Sequence, residues 1–162
     1  MPSAAKTGVT SYSTPSDTQV RFTRVVDAPA RLVYDTYVKP EHLQKWMLGP
    51  EGWTMPICEF EPRAGGAWRY GWRKGDGAEM IMSGIVKDIV PNSRIVTTER
   101  WGPEWPETLN EVTFVEENGQ TTITTTVTYP TKKDRDAALE TGMRTGIEAS
   151  YVRLEKLLEG LV

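Results

Sequence analysis

Few side chains in this sequence have the type and spacing that chemistry needs. Glu99 lies in IVTTERW (95–101), where a two-residue phase starting at Ile95 runs through Thr97, Glu99 and Trp101. In that phase its carboxyl points inward, and a buried carboxyl needs a hydrogen-bonding partner or a raised pKa, with Tyr70, Arg69 or a ligand as candidates. In the opposite phase it is solvated. Tyr151, on a helical stretch, is the other candidate acid–base group, but no two residues form a pair that carries a catalytic assignment.

The single histidine, His42, follows Glu41 and reads as a solvated surface residue, because a general base needs an orienting partner and a pocket. Cys58, between Ile57 and Glu59, reads as a small core hydrophobe rather than a nucleophile. One histidine and one cysteine far apart provide no metal-ligand set, and Gly65-Gly66 lacks the Lys-Ser/Thr of a phosphate loop. The expectation is therefore no cofactor and no metal.

Aromatic residues are the stronger signal. Five of the six tryptophans, Trp53, Trp68, Trp72, Trp101 and Trp105, fall in or beside strand-like runs. They either fill a core or line a cavity, where flat rigid rings offer large contact area to an apolar ligand. Gly142 and Gly146 lie within a helical pattern, where each costs about 0.5–1 kcal/mol against alanine. With Ser150 they make a small-residue stripe that permits close helix-to-sheet contact or leaves space beneath the helix.

The elements that must position these residues follow from periodicity. Val20, Phe22 and Val26 alternate with polar residues, predicting a half-buried strand over 19–26. Leu32, Val33, Thr36 and Tyr37 form a helical face, and Lys39-Pro40 divides this region into two short helices. Six more strand-like runs, 53–61, 66–74, 78–90, 94–101, 108–116 and 120–129, are separated by turn residues. Asn118-Gly119 is the clearest of these turns, since a type I′ hairpin needs positive φ at both central residues. From Thr131 the period becomes helical, through Leu139, Met143, Ile147, Tyr151, Leu154 and Leu158, and predicts one helix of about 28 residues ending near Gly160. Residues 1–17, rich in Ser, Thr and Pro, are expected to be a flexible tail, and 18–162 a single domain.

The predicted class is α+β, a helix-grip fold: a seven-stranded curved antiparallel sheet wrapped on a long C-terminal helix, with two short helices between strands one and two. A formal net charge of -3 gives no electrostatic footprint for nucleic acid. No apolar stretch has the length of a membrane span, and one cysteine suits a reducing, cytoplasmic compartment.

Four stretches carry a family resemblance: DAPARLVYDTYVKPEHLQKWMLGPEGWT (27–54), PRAGGAWRY (62–70), GIVKDIVPNSRIV (84–96) and GMRTGIEASYVRLEKLL (142–158). The chain resembles the START-like, birch-pollen-allergen-like (SRPBCC) superfamily, and within it the C-terminal domain of the activator of the heat-shock-protein-90 ATPase. That resemblance implies cavities with many cargoes and few shared catalytic residues. The leading expectation is binding of a small apolar or amphipathic molecule between helix and sheet. Its lining would comprise Trp68, Tyr70, Trp72, Met82, Thr97 and Glu99 from the first strands, with Trp101, Phe114, Met143, Ile147 and Tyr151 completing it. The family likeness also implies a protein partner of the chaperone kind and, as a third class, a cavity enzyme of the polyketide-cyclase type. Oligomeric state is left open between monomer and homodimer.

Overall fold

Alternation dictates which face of each strand is buried. Val20, Phe22 and Val26 on one strand, Trp68, Tyr70 and Trp72 on another, and Ile123 with Val127 on a third are buried in one continuous apolar cluster. The computed structural model describes residues 7–162. The elements run β1 (Thr10–Ser13), β2 (Gln19–Val26), α1 (Ala30–Val38), α2 (Pro40–Trp46), β3 (Trp53–Phe60), β4 (Ala67–Lys74), β5 (Met80–Val90), β6 (Arg94–Glu99), β7 (Thr108–Glu117), β8 (Gln120–Thr128), α3 (Lys132–Leu139) and α4 (Met143–Leu161). All strands join one antiparallel sheet in the order β1-β2-β8-β7-β6-β5-β4-β3. The helices cover its inner face, giving the α+β helix-grip architecture expected.

Local signals behave as their chemistry requires. Asn118 and Gly119 both take positive φ, 54° and 78°, at the β7–β8 hairpin. Lys39, extended before Pro40, ends α1 and precedes α2. The Thr131 hydroxyl accepts from the Asp134 amide at 3.1 Å and caps α3.

Two expectations are corrected. The sheet has eight strands instead of seven, because Thr10–Ser13, within the stretch 1–17 expected to be a tail, pairs with Arg21–Arg24 of β2. Residues 1–6 of that stretch lie outside the described residues. The C-terminal helix of about 28 residues is in fact two helices, because Gly142 takes a left-handed φ of 77° that a right-handed helix cannot absorb. The remaining 19 residues of α4 make a rod about 28 Å long. It buries Tyr151, Leu154 and Leu158. It shares the covering of the sheet with α1, which packs on β7 and β8, and with α2, which packs on β3 and on α4 itself.

An arginine fixes where α4 sits. Arg24 shares the inner-face phase of Phe22 and Val26 and is 2% exposed. Its guanidinium pairs with Glu148 at 3.0 Å and with Glu155, both on α4, and donates to the Thr10 hydroxyl at 2.8 Å. The guanidinium also lies 5.3 Å from the Tyr151 ring centroid, over its face. Tyr12 of β1 donates to Glu148 at 2.7 Å, so the edge strand joins the same cluster. Arg24→Ala should lower stability by roughly 1.5–3 kcal/mol, since both carboxylates retain some water and only the arginine is fully enclosed. Arg24→Met, which keeps the packing over Tyr151, should lose distinctly less. Chemical denaturation of the two variants would show this, and equal losses would contradict a role for the apolar stem.

Candidate functional site

Inward alternation along β4 places Trp68, Tyr70 and Trp72 in one row. Trp68 and Tyr70 have ring centroids 4.8 Å apart, and Tyr70 meets Trp72 at 5.8 Å in an 81° edge-to-face contact. Trp101, just beyond β6, extends the series by stacking on Trp72 at 5.5 Å and 16°. The Trp72 indole donates to the Met47 carbonyl at 2.7 Å, which ties this end of β4 to the segment after α2. Trp72 is buried, whereas Trp101 keeps 37% of its surface, so the stack runs from interior to solvent.

Glu99 is held at this stack. Its side chain accepts from the Trp101 indole at 2.6 Å and hydrogen-bonds Asn110. Asn110 also donates to Thr108, the residue opposite Glu99 in the β6–β7 pairing, at 3.2 Å. Glu99 keeps some exposed surface, yet enough protein surrounds the carboxyl for burial to push it up to about 7, with the Trp101 and Asn110 hydrogen bonds opposing. Two phenols feel the same charge. Tyr129 is raised to about 12 by burial and then by Glu99, and Tyr70 well above its ordinary value by burial, Cys58 and Glu99. Glu99 thus faces tryptophan, amide and phenol groups.

Of the eleven residues expected to line one cavity, all but Thr97, Glu99 and Trp101 belong to or pack against one core cluster, within which their side-chain contacts differ. Trp68, Tyr70, Trp72, Glu99 and Trp101 meet as described, with Met82 opposite Tyr70 on β5. Phe114 instead packs edge-on to Tyr37 at 5.1 Å, and Tyr151 packs on Phe22 at 6.3 Å, with Tyr37 and Thr125 as its hydrogen-bonding partners. Thr97 is half-buried opposite Val86. Met143 and Ile147 are half-buried at the start of α4. The two acid–base candidates, Glu99 and Tyr151, therefore have separate partners.

Asn110, Tyr129 and Arg24 were not among the expected site residues. Each was signalled by phase: Asn110 alternates with Val112 and Phe114, Tyr129 follows Ile123 and Val127, and Arg24 follows Phe22. A hydrophobic pattern passes over polar members of its own series. The glycine question also resolves, since a Cβ at Gly146 would meet nothing within 4 Å. Its Cβ direction is open, and Gly49, whose amide donates to Ser150 at 2.9 Å, lies towards its Cα.

Cys58 is half-buried, and burial, then Glu59, raises its thiol to about 11, so it is no activated nucleophile. His42 is half-buried rather than fully solvated. Among the described residues no group of three or more His, Cys, Asp or Glu could hold a metal ion, and no helix is long and apolar enough to cross a membrane. A cleft of about 620 Å³ opens on the opposite face of the sheet, where Arg69, Ser83, Ile85 and Thr98 contribute to its wall.

Residues 27–159 match the family described as Activator of Hsp90 ATPase homolog 1-like protein. No curated protein matches the chain. Among solved structures, a protein from Rhodobacter sphaeroides is 28% identical, with 95% of this chain and 100% of that chain covered at a TM-score of 0.88. One from Chromobacterium violaceum is 26% identical over 87% of this chain and 97% of that chain, TM-score 0.75. A Mycobacterium smegmatis protein shares the fold at 20% identity and TM-score 0.81, covering 91% of this chain and 95% of that chain.

The raised Glu99 carboxyl has a consequence for stability. Its folded value of about 7 lies above the ordinary 4.5, so the folded state binds the proton more tightly. That contribution is complete below about 4.5 and is lost as pH rises towards 7. Glu99→Gln should therefore melt higher than the unsubstituted protein at about pH 8 and close to it at about pH 4. A melting difference unchanged between those conditions would contradict burial of the carboxyl.

Proposed function

Since the chain belongs to the Activator of Hsp90 ATPase homolog 1-like family, we propose that it binds a small apolar or amphipathic molecule on the inner face of the sheet, beside the start of α4. The carrying observation is the Trp72–Trp101 stack with the Glu99 carboxyl hydrogen-bonded to its outer ring. Large flat rings offer apolar contact, and a single polar group among them fixes orientation, the composition of a small-molecule site.

The approach lies where cover is thinnest. Met143, Gly146 and Ile147 are only half-buried, whereas Tyr151, Leu154 and Leu158 further along α4 are enclosed. The segment Met47–Gly49 connects the two sides: Met47 holds the Trp72 indole, and Gly49 faces Gly146. A cytoplasmic setting suits the single free thiol. A chaperone-type protein partner is the second reading, resting on the family's description alone.

N-phenyl-1-naphthylamine, a neutral apolar fluorophore, should bind saturably and quench tryptophan emission. Gly146→Ala should keep the fold and gain up to about 1 kcal/mol of helix propensity. Gly146→Leu should fill the open space at the start of α4 and weaken the probe several-fold. Absence of saturable binding, with quenching no better than for free tryptophan, would overturn the reading.

A further inference from the structure

Charge on the inner face is unevenly settled. Four charged side chains fall in its register, Arg24, Lys74, Glu99 and Glu116, and Lys74 is exposed at the end of β4. Arg24 is compensated by Glu148 and Glu155. Glu116 accepts from the Ala30 amide at 2.7 Å, at the N-terminus of α1, where the helix dipole favours an anion. Glu99 has only neutral partners, the Trp101 indole and the Asn110 amide, and no cation opposes it among the described residues.

The surroundings of Glu99 reinforce one sign. The faces of Trp72 and Trp101 carry the negative side of the aromatic quadrupole, which attracts cations. The indole donors at this site are already committed, Trp72 to Met47 and Trp101 to Glu99. An incoming anion would meet a carboxylate and π faces.

We infer that the ligand is an apolar or aromatic molecule bearing a protonated amine, its ring or chain on the Trp72–Trp101 stack and its ammonium paired with Glu99. This rests on the ligand-binding reading above and narrows it to a charge class. The ammonium would supply the counter-ion that the fold omits, and desolvation in the aromatic surround makes that pairing stronger than at an open surface. Fatty acids and other carboxylates are correspondingly disfavoured.

Three probes of matched body separate the possibilities: 1-naphthylmethylammonium, 1-naphthylmethanol and 1-naphthylacetate, titrated against tryptophan emission at about pH 8, where Glu99 is ionised. The ammonium should bind about tenfold or more tighter than the carboxylate, with the alcohol between them. Glu99→Gln should bring the ammonium and carboxylate within about threefold of each other. Binding of the alcohol with equal or tighter binding of the carboxylate would overturn the charge assignment and leave the apolar site standing. A preference for ammonium that survives in Glu99→Gln would likewise overturn it. Failure of all three probes to bind would remove the site itself.

Discussion

A buried arginine is the constraint on which the arrangement turns. A sheet with one apolar face accepts a helix at many positions and rotations, because hydrophobic contact is non-directional. Arg24 removes that freedom. Its guanidinium, 2% exposed on the sheet's inner face, needs anions within reach, and Glu148 and Glu155 provide them two helical turns apart on α4. That pairing sets both the rotation of α4 and its position along β2. It also ties in β1, since Thr10 accepts from the Arg24 guanidinium and Tyr12 donates to Glu148. Tyr151 is then directed downward, under the guanidinium and against Phe22.

The fixed end of α4 contrasts with its beginning. Past Tyr151 the helix is anchored by Leu154 and Leu158, while before it Gly142 breaks the backbone and Gly146 leaves space. On the same sheet the Trp72–Trp101 stack reaches solvent, and Glu99 has no cationic partner among the described residues. Arg24 and Glu99 stand on one face of one sheet, but of these two only Arg24 is paired with opposite charge among the described residues. Burying a carboxyl without a cation is unfavourable for folding. A binding site is one context in which such a group is retained, because a ligand can complete it.

Much of this was legible in the chain because period-2 and period-3.6 patterns report directly on burial. The β4 series Trp68, Tyr70, Trp72, the turn at Asn118-Gly119 and the break at Lys39-Pro40 all act locally, through side-chain direction or backbone sterics. Glu99 was readable as an inward residue from its phase with Ile95. What escaped depends on distant partners. Arg24 is tolerable inside only because Glu148 lies 124 positions away in the chain, and β1 is ordered by pairing that its own Ser- and Thr-rich composition does not announce. The split of the last helix had a visible sign in Gly142, but whether a glycine continues a helix or takes positive φ depends on where the two halves must pack. The eight-stranded sheet and divided helix thus differ from the expected fold where tertiary contacts overrule local preference.

The three indoles of β4 and Trp101 carry the most direct test, because each N–H has its own acceptor: Thr98 for Trp68, Met47 for Trp72 and Glu99 for Trp101. Two-dimensional ¹⁵N NMR of the indole region, recorded while 1-naphthylmethylammonium is added, reads all three at once. The account predicts that the Trp101 and Trp72 signals move together to saturation, with Trp68 moving less. Displacement confined to Trp68, whose acceptor borders the cleft on the opposite face, would contradict it and relocate binding to the outer side of the sheet.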